Sequence, residues 1–250
     1  MGALEVLAIL AAGVCAGTIN TVVGSGTLVT FPVLLGFGYA PVVANVSNTI
    51  GLVPGSVAGA AGYRTELSGQ RSRLLALGCA SLSGGLSGAI LLLTLPASAF
   101  KAIVPVFIVV ALVLIVAQPR LTARLAKRRR DAPPHGGRWT LLAVFAAGVY
   151  GGYFGAAQGI LLLAILGLSL DESLQRVNAV KIVLAGLVNL IAGVVFVLVA
   201  HVAWLPALLI SIGSIAGGAL GARVGRSLNP DVLRGVIVLV GVAAIGKLLL

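Results

Sequence analysis

Asn20-Thr21-Val22-Val23-Gly24-Ser25-Gly26-Thr27 lies inside an otherwise apolar run from Leu4 to Leu35. Glycine disfavours a helix interior and adopts backbone angles that other residues avoid, so Gly24 and Gly26 break the run. In water this would be an ordinary turn. At membrane depth, backbone N–H and C=O groups cannot face lipid, and a non-helical stretch must be buried in protein or line a polar cavity. A helix restarting at Thr27 aims unpaired N–H groups and the positive end of its dipole into that cavity, which favours an anion.

The rest of the chain supports membrane depth. It is 59% hydrophobic and 9% charged, with a mean hydropathy of +1.15. A soluble protein of this composition would have a surface almost without charge, so the long apolar runs read as membrane spans. The net charge of +11 is concentrated in short loops, where Lys and Arg mark the cytoplasmic side. Aromatic residues do not interleave with these basic stretches, which excludes a nucleic-acid partner. Glu5 and the lack of Lys or Arg ahead of the first apolar run differ from a cleaved signal peptide, so the first helix is expected to remain. Cys15 and Cys79 lack metal or redox spacing and read as small buried hydrophobes.

Taken in order, Leu4 to Gly17 and Thr27 to Gly36 predict two short helices, forming either one broken span or a re-entrant V. Spans follow from Pro41 to Tyr63 with an interruption at Pro54-Gly55, from Leu74 to Leu95, and from Ala97 to Ala117. A basic linker covers residues 119–138, dividing a first transmembrane repeat (1–118) from a second (139–250). The second repeat echoes the first: Ala146-Ala147-Gly148-Val149 repeats Ala11-Ala12-Gly13-Val14, and Gly151 to Gly159 supplies another glycine-rich break. Asn178 falls where Asn48 falls. The stretch Ser214 to Gly221 echoes Ser81 to Gly88. Glycine interruptions at matching places in two halves point to a transporter site. If each opening element is re-entrant, each half crosses three times and the halves are inverted. Fourteen Lys and Arg then lie inside against two outside; four full crossings per half give eleven against five. The positive-inside rule favours the inverted arrangement. Glycines repeated every four residues, such as Gly13/Gly17 and Gly84/Gly88, are expected to serve close helix packing.

Lys181 stands within the apolar stretch from Val177 to Val199. An ammonium at membrane depth costs about 2.5–3.5 kcal/mol on insertion scales, so it requires a reason. Asn178, Lys181 and Asn189 share roughly one helix face, which would line a pathway with Lys181 pairing to an anion. The alternative is that Lys181 snorkels to the cytoplasmic surface beside Asp171, Glu172 and Arg176. Asn20, Thr21, Ser25, Thr27, Ser47, Asn48, Thr49 and Gln158 are neutral side chains that could cap broken helix ends and contact substrate together. Gly24, Gly26, Gly155 and Gly159, flanked by polar groups, complete the substrate-binding set. His201 reads as an interfacial residue beside Trp204 and not as a metal ligand. Nothing in the pattern resembles a nucleotide-binding loop, a nucleophile with its base, or a metal motif, so neither an enzyme, a cofactor nor a metal site is expected.

Asn20 to Pro32, then Ala44-Asn45-Val46-Ser47-Asn48-Thr49 leading to Pro54-Gly55 and Tyr63-Arg64, resembles the first half of the sulfite exporter TauE/SafE family. Gly148 to Gly159, followed by Arg176 to Lys181 and Asn189, is similar to its second half. The departures are Gly24-Ser25-Gly26-Thr27, where the family commonly has a longer glycine run, and Ala156-Ala157-Gln158, where glycine and threonine are common. The resemblance implies a multi-pass protein of the bacterial inner membrane that moves sulfur-containing or organic anions such as sulfite or sulfonates.

The expectation is therefore an all-α polytopic membrane protein with two pseudo-repeats, inverted, each opening with a broken or re-entrant helix. Its partners are a small anionic substrate and the lipid bilayer, with homo-oligomerisation left open. Its function is secondary transport of a small anion by alternating access, in the export direction. A channel-like anion conductor and a non-transporting membrane partner protein are the rival readings.

Overall fold

The computed structural model describes residues 1–126 and 136–224. Among these, the chain is all-helical. In order the helices are α1 (Ala3–Val22), α2 (Thr27–Gly36), α3 (Pro41–Gly62), α4 (Arg64–Leu67), α5 (Arg71–Thr94), α6 (Ala97–Ala126), α7 (Gly137–Tyr153), α8 (Gln158–Ser169), α9 (Leu174–Val199) and α10 (Trp204–Val224). Among the described residues, five stretches are long and apolar enough to cross a membrane: α1, α5, Ser98–Gln118 within α6, α9 and α10. The central portion of the linker, residues 127–135, and the basic residues Arg226, Arg234 and Lys247 lie outside the described residues.

Several boundaries move relative to expectation. Helix α1 does not stop at Gly17 but continues to Val22, so Asn20 and Thr21 belong to its last turn. Thr18 and Thr21 donate their hydroxyls to Val14 O and Gly17 O, both at 2.9 Å, which satisfies them inside the helix. Helix α3 runs unbroken through Pro54-Gly55. Helix α6 extends to Ala126, making the first eight residues of the expected linker helical. Cys15 and Cys79 are exposed on apolar helices, not buried.

Helices α1 and α2 form a hairpin and not a through-going span. Beyond the bend, a Cβ on Gly26 would sit 2.4 Å from Ala16 O, so the chain has already turned back along α1. The descent ends where it began, with the Tyr39 hydroxyl donating to Glu5 Oε1 at 3.0 Å. The lengths agree: Ala16 lies about 9 Å below Val22, α2 adds about 15 Å, and Glu5 lies about 25 Å below Val22 at 1.5 Å per residue. Helix α3 then carries the chain to the opposite end of the bundle. There Glu172, in the turn before α9, accepts from Arg73 at 2.9 Å and from Arg176 at 2.7 Å. Gln70 adds a hydrogen bond from its side-chain amide to Arg176 O at 3.3 Å. Helices α7 and α8 form a second hairpin that opens at this end, with Val144, Leu166, Leu170, Leu77 and Val177 in one apolar cluster.

Small residues set the packing between these elements. Gly13 and Gly17 of α1 lie against the backbone of Ile210, Gly213, Ser214 and Gly218 of α10. Gly148 and Gly152 of α7 lie in the same way against Ser81, Gly84, Gly85 and Ala89 of α5. Lipid supplies no hydrophobic drive between helices, so close backbone approach is the source of attraction. Helix α1 therefore packs on a helix from the other end of the chain, and α7 packs on α5, a helix from the chain's first half. Between these two pairs lie α3 and α9, which bring polar residues to the hairpin tips.

Candidate functional site

The two bends meet. Gly159 donates its backbone N–H to Gly24 O at 3.0 Å. A Cβ on Gly24 would stand 2.6 Å from Gly159 Cα, and one on Gly159 would stand 2.5 Å from Gly24 Cα. Gly24 has φ +94° and Gly155 has φ +74°, in the left-handed region that glycine enters without cost. Ala157 at φ +59° shows that the second bend holds even a non-glycine residue there. The breaks at Gly24–Thr27 and Gly155–Gly159 thus form one junction, as a shared site requires, reached by one hairpin from each end of the bundle.

The amides at this junction are less available than the sequence suggests. Within the first turns, Leu28 N bonds Ser25 O at 3.1 Å, Val29 N bonds Gly26 O at 3.0 Å, Gln158 N bonds Gly155 O at 3.2 Å, and Ile160 N bonds Ala157 O at 3.0 Å. With Gly159 N spent on Gly24, helix α8 does not open a free N-terminus toward a guest. These short local bonds are the usual remedy for orphan amides at a helix start. A basic group reaches the junction by another route.

Lys181 supplies it. The side chain does not snorkel; it is 1% exposed. Its Nζ donates to Asn20 O at 3.1 Å and to Thr21 O at 3.2 Å, the last carbonyls of α1. Asn178, one turn earlier on α9, donates its Nδ2 to Thr21 O at 3.2 Å. These are the carbonyls that a helix end leaves without intrahelical partners, at the negative end of its dipole. No carboxylate pairs with Lys181 among the described residues; Glu172 is engaged by Arg73 and Arg176.

On the other side of the junction the same place is taken by a neutral group. Asn45 of α3 donates its Nδ2 to Tyr153 O, the end of α7, at 3.0 Å. Asn45 and Asn178 are each the fifth residue of their helices. Asn178 therefore corresponds in role to Asn45, not to Asn48 as the spacing suggested. Asn48 instead accepts from the Thr30 hydroxyl and donates to Thr27 Oγ1 at 3.3 Å, pinning α2 to α3.

Three buried polar atoms on the bends and on the helix that caps the second of them lack a hydrogen-bond partner: Ser25 Oγ, Gln158 Nε2 and Asn45 Oδ1. Buried polar groups are normally satisfied, so a cluster of orphans around one junction marks a place where a polar guest or water belongs. Residues 23–31 and 156–160 are nearly all buried, so the junction is closed in this conformation. Edge-to-face contacts of Phe31 with Phe154 (centroids 5.1 Å) and of Phe100 with Phe154 (6.0 Å) cover one flank.

Not every expected residue arrives. Ser47 turns away and its Oγ accepts from Ala203 N at 2.9 Å, ahead of α10. Thr49 bonds back to Asn45 O at 2.9 Å within its own helix. Asn189 is half-buried two turns beyond Lys181, with no hydrogen bond to either bend among the described residues. Conversely, Asn45, Tyr153, Phe31 and Phe154 were missed. The i, i+3 spacing of Asn45 and Asn48 was the available signal for the first; the aromatic residues carry no local signal, since any apolar span contains them.

The chain is similar to proteins named as membrane transporters. The protein of Escherichia coli (strain K12) named "Probable membrane transporter protein YfcA" is 25% identical over 238 residues, covering 94% of this chain and 86% of that protein. A Sinorhizobium sp protein named "Probable membrane transporter protein ORF9" is 26% identical over 249 residues, covering 99% and 94%. A Haemophilus influenzae protein named "Probable membrane transporter protein" is 24% identical over 250 residues, covering 98% and 95%. No solved structure matches this chain. The family described as "Sulfite exporter TauE/SafE" matches residues 9–248, nearly the whole length, and the chain belongs to that family.

Proposed function

We propose that this protein is a secondary transporter of the bacterial inner membrane that moves a small sulfur-containing or organic anion outward through the junction of its two hairpins. The observation that carries the reading is the buried Lys181 side chain, read as an ammonium and without a carboxylate partner among the described residues, at the point where the hairpins meet. Such a charge at membrane depth is stabilised by an anion more than by any neutral guest. A single positive charge suits a singly charged anion such as hydrogen sulfite or a sulfonate. The orphaned donors Ser25 Oγ and Gln158 Nε2 are available to orient its oxygens, whereas Asn45 Oδ1 can only accept. The names of the relatives and the family support transport as the class of activity.

The loop contacts support the inverted arrangement. If each hairpin were one broken span, the Arg71–Arg73 region and the Glu172–Arg176 region would emerge on opposite faces of the membrane. The ion pairs of Glu172 with Arg73 and Arg176 bring them to one face. The closed junction favours alternating access over an open pore, since a guest enters only when the tips part. An inside-negative potential drives anion exit by about 2.3 kcal/mol per charge per 100 mV, which favours export.

The test is flux in reconstituted vesicles with sulfite, thiosulfate, sulfonates and small carboxylates. A carrier shows saturable flux accelerated by trapped substrate on the far side. A channel shows neither property, and a protein that moves none of these anions is not the transporter described here. Thermal stabilisation by the transported anion, which binds the folded state, identifies it independently.

A further inference from the structure

The contacts of Lys181 bear on what the transporter requires besides its anion. In transporters built on broken helices, the carbonyls at half-helix C-termini are the groups that hold a coupling Na+. Helix α1 ends at such a break, and two of its terminal carbonyls, Asn20 O and Thr21 O, point at one cation. That cation is the Lys181 ammonium, brought from α9 across the bundle. Asn178 adds its amide to Thr21 O, so the carbonyl cluster is already engaged by donors from one helix face. The matching end of α7 is held by the neutral amide of Asn45, leaving one charge at the junction and not two. Carboxylates, the other usual ligands of a hard cation, are absent from the described surroundings. Glu5 lies at the hairpin's open end, and Glu172 is engaged by two arginines.

We propose that the Lys181 ammonium is a resident cation, covalently attached where a coupling Na+ would otherwise sit, so that anion transport proceeds without any inorganic cation. This rests on the junction being the anion pathway. Two consequences follow from tethering. The positive charge is present whatever the salt, and it cannot leave with the substrate, so each turnover moves the net charge of the anion alone. Lys181 acts here as a positioning residue: it holds the end of α1 and sets the charge the anion meets.

The experiment uses the full-length protein in vesicles, with flux measured in Na+ or K+ media and again with both replaced by N-methylglucamine. Wild-type flux should be the same within about twofold, whereas a requirement for a bound coupling ion would lower it by about tenfold or more. Lys181→Ala should lose flux and regain part of it on addition of ethylammonium, which restores a cation to the vacated space. Lys181→Met, which fills that space with a neutral group, should not be rescued. Rescue by an amine separates the charge from a merely structural role. Wild-type protein with flux confined to Na+ media, or Lys181→Ala with undiminished flux in N-methylglucamine medium, overturns the proposal while leaving anion transport standing. Absence of flux in every medium overturns the transport reading itself. If Lys181→Ala does not fold, the cation replacement on wild-type protein decides alone.

Discussion

Asn45 and Asn178 perform one task in crossed positions: each donates its side-chain amide to a terminal carbonyl of the opening helix from the other part of the chain. Asn45 reaches Tyr153 O at 3.0 Å and Asn178 reaches Thr21 O at 3.2 Å. The two bends are therefore not held by their own helices. Each depends on a helix supplied from more than a hundred residues away, which links the integrity of one bend to the packing of the other.

The first prediction concerns these caps. Asn45→Leu and Asn178→Leu keep the approximate volume but leave a buried carbonyl without its donor, at a cost of about 1–3 kcal/mol. Thermal unfolding in detergent should move down for both. Asn178→Leu should be the milder, because Lys181 still donates to Thr21 O. Equal losses, or none, would mean that the bends are held by something other than these amides.

The Gly24–Gly159 contact makes a sharper demand. A methyl group on either residue meets backbone at 2.6 or 2.5 Å, and backbone does not swing aside as a long side chain does. Gly24→Ala also places a Cβ at φ +94°, which L-residues avoid. Each substitution should cost about 1–3 kcal/mol of stability and reduce anion flux. Because both open the same contact, the double variant should lose less than the sum of the two. Additive losses would show the residues to be independent.

Glu172 gives a pH dependence. Burial pushes its carboxyl up, but the guanidinium groups of Arg73 and Arg176 outweigh that and hold it below the usual carboxylate range. A carboxyl held down in the folded state adds stability above its unfolded value and loses it as pH falls through the folded one. Wild type should therefore melt above Glu172→Gln at about pH 7, with the gap closing as pH falls below the usual carboxylate range. A gap that does not change with pH would assign the effect to packing, not to charge.

Topology is the fourth prediction. With both hairpins re-entrant, a reporter fused after Leu250 reads periplasmic and one inserted at Gly69, between α4 and α5, reads cytoplasmic. A cytoplasmic C-terminus contradicts the inverted arrangement. Gly69 is suited to insertion because it lies in an exposed turn with open space around it.

Much of the helical content was visible without coordinates. The span beginning at Pro41 matched α3 because proline at a first helical position is a local signal. The glycines at 24 and 155 marked the bends because their φ angles are local too. Local reading failed at Gly17, through which α1 continues to Val22 packed against α10. It also failed at Pro54-Gly55, where α3 continues because its neighbours pack around it.

By itself, the amino-acid order determined that this chain is a set of apolar helices interrupted at two glycine-rich points, with an ammonium placed where lipid would not tolerate it alone. Hydropathy, glycine and charge act over a few residues, and a few residues suffice to read them. Only the tertiary structure decided that the interruptions touch, that Lys181 turns inward to carbonyls some 160 positions away, and that Asn45 shares the role of Asn178. Those outcomes depend on which helix faces meet. Periodicity shows that a face exists, whereas its partner is chosen by close backbone packing across the whole bundle.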